Sequence, residues 1–176
     1  MKRLLLSACL IASIPAAAAS EFPAPGTEEF VCDVPGGRYD QYTRNIGSGS
    51  IDFRGTAAFN EFRANSKWLA VVNIVLRGRE DNQQVGLRFV VDPNGKRATV
   101  IAIFPGSSQR EERSLGTVST KERFPVHIVI GPERSSVEIA GTTTEGPGMG
   151  EGDRAIALSC SSIDAHVEDI TIIRVE

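Results

Sequence analysis

Val85-Gly86-Leu87-Arg88-Phe89-Val90-Val91-Asp92-Pro93-Asn94-Gly95, answered by Arg97-Ala98-Thr99-Val100-Ile101-Ala102-Ile103-Phe104, is the stretch that decides the fold. In its first arm Val85, Leu87, Phe89 and Val91 alternate with Gly86, Arg88, Val90 and Asp92, which is the two-residue period of a strand. Pro93-Asn94-Gly95 supplies a hairpin turn, so the second arm returns antiparallel. Chains built from such hairpins make sandwiches or barrels.

The same texture extends both ways. Downstream, Pro105 to Ser108 turns the chain into Gln109 to Leu115, a charged run suited to a sheet edge, where charge discourages pairing with other chains. Val126, Ile128 and Ile130 open another hairpin, turned at Gly131 to Ser135 and answered by Val137 and Ile139. Thr142 to Gly152 is rich in Gly and Thr and carries no apolar pattern. Ala155 to Cys160 and Val167 to Val175 read as the last strands, separated by a turn around Ser161 to Asp164. Upstream, Trp68 to Leu76 is apolar on both parities except Asn73, as in a central strand covered on two faces. Ala57 to Phe62 and Ser50 to Arg54 read as separate strands divided by Gly55, and Glu28 to Asp33 as the first strand, interrupted by Gly36 to Asp40. No segment predicts a helix. Roughly ten to twelve short strands predict a single all-β domain over 28–176, an antiparallel two-sheet sandwich.

The start of the chain has a different character. Lys2 and Arg3 precede an apolar core, Leu4 to Ile14, and a small-residue tail, Pro15 to Ala19. This predicts a secretory signal over 1–19, cleaved after Ala18 or Ala19, with 20–27 as a polar leader. Leu6-Ser7-Ala8-Cys9 also fits a lipoprotein box that would make Cys9 a lipidated N-terminus, although an apolar stretch ending at Ala8 is short for such a signal. No other segment has the ~18 consecutive apolar residues of a membrane span. Export implies a periplasmic or extracellular protein, and with Cys9 removed it leaves Cys32 and Cys160. An oxidising compartment favours a bridge between them over two separately buried thiols. The formal charge is −3 at pH 7 and two units more negative once Lys2 and Arg3 leave. An acidic chain without basic blocks is a poor partner for nucleic acid.

The order Val126-His127-Ile128-Val129-Ile130, turn, Val137-Glu138-Ile139-Ala140-Gly141, Gly-rich loop, Ile156-Ala157-Leu158-Ser159-Cys160, turn, Val167-Glu168-Asp169-Ile170-Thr171-Ile172 resembles the closing strands of the concanavalin A-like lectin/glucanase superfamily, including laminin-G-like domains. The resemblance covers the last 50 residues well and Ser50 to Asp92 more loosely. It implies a jelly roll of two packed sheets whose final strand returns beside the first. It also implies a family whose members often bind glycans on a concave face. The Glu-x-Asp-x-x-Glu strand of the superfamily's retaining glucanases is missing, and adjacent pairs such as Glu28-Glu29, Glu80-Asp81 and Glu111-Glu112 point to opposite strand faces.

Other constellations give weaker signals. Asp164, His166 and Glu168 alternate, so a strand beginning at Asp164 would project all three from one face, as a divalent metal or a solvated polar face would use. Ser161, Ser162, Asp164 and His166 hold the letters of a hydrolase triad but crowd into six residues, without an activating elbow. His127 faces away from Val126 and Ile128. Glu151 and Asp153, in the loop 146–153, offer oxygens to calcium without the spacing of an EF-hand, and no cofactor is otherwise implied. Sugar binding needs exposed aromatic faces with polar neighbours. Trp68 shares parity with core positions and is expected inside. Tyr39, Asp40 and Tyr42, in a polar stretch after Gly36, are the expected contact set, and Arg77, Arg79 and Arg88 are expected to be solvated. The functional expectation is an exported, non-catalytic module for a glycan or cell-envelope polymer. A divergent glycan hydrolase or lyase and a structural or protein-interaction role are the alternatives.

Overall fold

The computed structural model describes residues 28–63, 67–80 and 82–175. The expected signal, the leader and Cys9 lie outside the described residues. Within them the chain forms β1 (Glu28–Asp33), β2 (Tyr39–Ser48), β3 (Ser50–Phe62), β4 (Val71–Arg77), β5 (Gln84–Val91), β6 (Arg97–Phe104), β7 (Glu111–Ser119), β8 (Phe124–Ile130), β9 (Arg134–Ile139), β10 (Thr142–Pro147), β11 (Asp153–Ser161) and β12 (Ile163–Val175). Among the described residues there is no helix, and so none long and apolar enough to cross a membrane.

The strands form two six-stranded sheets, ordered β1-β12-β3-β8-β9-β10 and β2-β11-β4-β5-β6-β7, with every pairing antiparallel. Their inner faces share one core. Ile51, Phe53, Val126, Ile128 and Val137 of the first sheet meet Ile74, Leu76, Leu87, Phe89, Val100 and Leu158 of the second. Phe59 packs edge-on against Phe89, ring centroids 5.4 Å apart, which joins the sheets through an aromatic contact. Alternate residues along each strand enter this layer, which is why the period of Val85 to Val91 is visible in the chain.

The Cys32–Cys160 bridge is formed, with both residues buried and their Cα atoms 6.4 Å apart. Cys32 lies on β1 and Cys160 on β11, so the bridge crosses from sheet to sheet rather than joining paired neighbours. The last strand returns beside the first, as the resemblance implied: Cys32 pairs in register with Ala165 of β12. Ser162 alone carries the chain from β11 in one sheet to β12 in the other. Its φ is 54°, it is buried, and its Oγ accepts the Gly37 N–H at 2.9 Å.

Several boundaries differ from the sequence reading. Tyr39 to Thr43 is no loop but belongs to the edge strand β2. Gly55 does not break the chain into separate strands; β3 runs through it, with Gly55 paired to Val126 of β8, and a Cβ there would press on the Glu168 carbonyl and the Val167 side chain at 3.3 Å. Trp68 lies before β4 and is 51% exposed, its ring resting over Gly37 rather than in the core. Thr142 to Pro147 pairs with β9 as an edge strand, and Met149 beyond it is buried. β12 begins at Ile163, with no turn reaching Asp164.

Candidate functional site

The outer face of the second sheet carries a polar line across strands whose other face is core. Asn73 stands between Val71 and Val75 on β4, and Arg88 between Gly86 and Val90 on β5; register places Gln41 opposite Ser159, Ser159 opposite Asn73, and Asn73 opposite Arg88. The side chains are joined in the same order. Asn73 Nδ2 donates to Ser159 Oγ at 3.1 Å, Arg88 Nε to Asn73 Oδ1 at 2.9 Å, and Arg88 NH1 to Glu112 Oε1 at 2.9 Å. Arg88 is therefore not the freely solvated arginine expected; its side chain is 21% exposed and held on two sides. At the β2 end the Tyr39 hydroxyl donates to Gln41 Oε1 at 2.5 Å, and Gln41 Nε2 donates to Thr43 Oγ1 at 2.8 Å. Beside the line, on the same face, Val75, Ile103 and Ala157 form a small buried apolar cluster.

The approach of β4 and β5 under this line depends on Gly86. Any Cβ there would collide with the Ile74 carbonyl and come within 2.7 Å of Val75 Cα. The charge on the face opposes that of the whole chain. Arg77, Arg88, Arg97 and Arg110 share it with two acids: Glu112, which both Arg88 and Arg110 contact, and Asp153, which pairs with Arg79. Arg77 Nε is buried without a hydrogen-bond partner.

Of the three residues expected to contact sugar, the structure brings two together and sends the third elsewhere. Tyr39 projects on the outer face, 59% exposed. Tyr42, three residues along the strand, turns to the other side and meets Phe30 at 6.4 Å between ring centroids. Asp40 shares that side. Both line a cleft of about 530 Å³ between the edge strands β1 and β2, together with Glu29, Val31, Gln41 and Leu158.

The remaining candidates lie on the first sheet or in loops. His127 is half-buried, its Nε2 3.0 Å from Asp52 Oδ1. Burial of Asp52 works against its charge. The hydrogen bond and charge of Arg54 together with His127 outweigh that effect and hold the Asp52 carboxyl below its ordinary value of 3.8. Asp164, His166 and Glu168 do project from one face of β12, where His166 meets Glu29 of β1. Ser161 and Ser162 are not presented to them as a triad needs: Ser161 Oγ donates to the Leu69 carbonyl, and Ser162 is buried at the crossover. In the loop 146–153, the Arg154 guanidinium takes the carbonyls of Met149 and Gly150 that a cation would use, and Asp153 pairs with Arg79 at 3.2 Å. Burial pushes the Arg154 guanidinium below its ordinary value, against the charge of Asp153.

No protein-family model and no curated protein matches the sequence. Solved structures match the fold. An alginate lyase from Alteromonas sp. 272 is 10% identical, over 76% of this chain and 77% of that one, with a TM-score of 0.55. A polysaccharide lyase of family 18 is 11% identical, over 86% and 90%, with a TM-score of 0.57. A functionally unknown protein from Saccharomyces cerevisiae is 8% identical, over 88% and 91%, with a TM-score of 0.58. At such identities the likeness is one of architecture, and that architecture is the concanavalin A-like jelly roll.

Asn73 and Arg88 were missed as site residues. The signal was present in the chain: each is a polar residue whose two neighbours on its own strand parity are Val or Gly.

Proposed function

We propose that this protein acts on an acidic polysaccharide laid along the outer face of the second sheet, and that it cleaves the chain by elimination. The observation that carries the substrate class is Arg88, a guanidinium fixed at the centre of an arginine-rich face in an otherwise acidic protein. Arginine recognises carboxylates through paired N–H donors, and a uronate polymer presents them at regular intervals. The Cys32–Cys160 bridge fits an oxidising compartment, where such polymers occur outside the cytoplasm.

Elimination from a uronate needs its carboxylate neutralised, a proton removed from the carbon that bears it, and a proton supplied to the leaving oxygen. The β2 end of the line offers these groups. The amides of Gln41 and Asn73 each keep a second N–H for a carboxylate, and the Tyr39 hydroxyl beside Gln41 gives its proton to the leaving oxygen as its own oxygen takes the proton from the carbon, so that the tyrosine ends as it began. Arg88 stands three strands from Gln41, roughly 14 Å away at ordinary strand spacing, so it holds the carboxylate of a sugar further along the chain. That the solved neighbours include alginate lyases favours cleavage over retention alone. Retention without cleavage is the second reading, and one observation favours it: both histidines lie on the other sheet.

The test incubates the protein with alginate and with polygalacturonate, following the ultraviolet absorbance of the unsaturated uronate and, separately, retardation in gels containing each polymer. Tyr39→Phe is expected to abolish product while leaving retardation, and Arg88→Ala to weaken both by tenfold or more, the loss of a charged contact. Retardation of the native chain with no product selects the second reading. Neither retardation nor product with any acidic polymer overturns both.

A further inference from the structure

On the opposite side of the molecule, the outer face of the first sheet, we infer that Glu29, His166 and Glu168 form a binding site for one divalent transition-metal ion, zinc being the best match, with Asp164 orienting the imidazole. Glu29 lies on β1 and the other two on β12, and the three ligand atoms lie within 4.8 Å of one another. His166 Nδ1 is 2.9 Å from Glu29 Oε1, and His166 Nε2 is 3.3 Å from Asp164 Oδ1. A neutral imidazole has one N–H, so it can satisfy only one of these carboxylates. The other nitrogen then faces a carboxylate oxygen lone pair to lone pair. A second proton on the ring or a cation between the two atoms resolves that conflict.

The surroundings decide where the cation goes. Asp164 is itself held by Asn60, whose Nδ2 donates to Oδ1 at 3.3 Å, and it sits on Nε2. Without an ion, the ring's hydrogen bond lies between Nδ1 and Glu29 Oε1, with Asp164 Oδ1 3.3 Å from Nε2; an ion selects the tautomer that donates Nε2–H toward Asp164 and frees the Nδ1 lone pair, the arrangement in which a carboxylate positions a metal-binding imidazole. One nitrogen and two carboxylates, with a fourth position for water, suit zinc better than calcium, which takes six to eight oxygens. Bonds of about 2.0–2.2 Å require ligand atoms roughly 3.3 Å apart, a closure within reach of side-chain rotation by the half-exposed Glu29 and Glu168. Arg123 pairs with Glu168 and is the competing cation; its side chain is 59% exposed and can swing clear. A bound ion would tie the edge strand β1 to β12 on the side away from the disulfide.

The probes are zinc alone and cobalt(II) alone, added to the intact chain. One equivalent should bind, with a cobalt absorption typical of nitrogen and oxygen ligands. The melting temperature should rise by about 5 °C or more at a hundredfold excess over Kd. Glu29→Gln should weaken binding at least tenfold, His166→Ala should abolish it, and Arg123→Ala should tighten it. Identical melting in zinc and in EDTA, or zinc affinity unchanged in Glu29→Gln, overturns the site. Glu29 is exposed, so that variant stays informative even if His166→Ala does not fold.

Discussion

Reducing the Cys32–Cys160 bridge should lower stability by about 5 kcal/mol, and the figure follows from the length of chain it closes. The cysteines are 128 residues apart. Chain-entropy arguments assign about 3 kcal/mol to a 15-residue loop and about 4.7 to a 100-residue loop, so this one falls near 5. Little of that is returned by the native state, because both sulfurs are buried in the apolar core and a reduced thiol remains a small apolar group there. The effect acts on the unfolded chain, which regains the conformations the bridge forbids. Urea unfolding with and without reductant reads it directly. At a slope of about 2 kcal/mol/M the midpoint should fall by roughly 2.5 M, and the slope itself should rise as the freed chain exposes more surface. A midpoint shift below about 0.5 M, or an unchanged slope, would refute the reasoning and place the bridge's contribution elsewhere.

Gly86→Ala should destabilise by about 1–3 kcal/mol, since the new methyl meets the backbone of β4 rather than a yielding side chain. A drop in melting temperature of about 2–4 °C per kcal/mol checks it, and an unchanged melt would mean that β4 and β5 can separate without cost. Asp52→Asn tests the carboxylate beside Arg54 and His127. The folded-state value of Asp52 lies below 3.8, so its stabilisation is fully present above pH 3.8 and is lost as pH falls through the folded value. The part of the stability gap between native chain and variant that comes from the Asp52 charge should shrink as pH falls below 3.8. Urea midpoints across that range give the answer, and a gap constant into strong acid contradicts the assignment.

How much could be read in the chain depended on what each strand covers. The β5–β6 hairpin was legible because one face of each arm is core and the turn residues Pro93, Asn94 and Gly95 make the turn seen, with Gly95 N–H donating to the Asp92 carbonyl at 2.9 Å. β2 and β10 were not, because both are edge strands with largely exposed side chains, and without a buried face there is no alternation to see. Trp68 misled for the opposite reason. It extends the parity of Val72, Ile74 and Leu76 past the point where the strand begins, and parity carries no mark of a strand's end. Within the candidate site, Asn73 was visible as the polar exception in an apolar run and Arg88 as one of an alternating set. Their adjacency was invisible, because register between β4 and β5 is a property of pairing and not of either strand alone. The His166 face was legible as far as alternation along β12 reaches; Glu29, 137 residues away in the chain, enters only through the pairing of β1 with β12.

The sheet order also bears on how the molecule comes to be. β11 and β12 lie late in the chain, yet they occupy interior places, β11 between β2 and β4 and β12 between β1 and β3. Until they arrive β1 and β2 have no strand to pair with, and β3 and β4 each present an open edge. These are long-range pairings, which form slowly because the intervening chain must first be closed into loops. A growing or truncated chain that ends before Asp153 holds most of the core residues but exposes unpaired apolar strands, the kind of surface on which chains aggregate. Folding of this jelly roll is therefore completed by its last two strands, and a fragment that lacks them is a candidate for a chaperone rather than a domain.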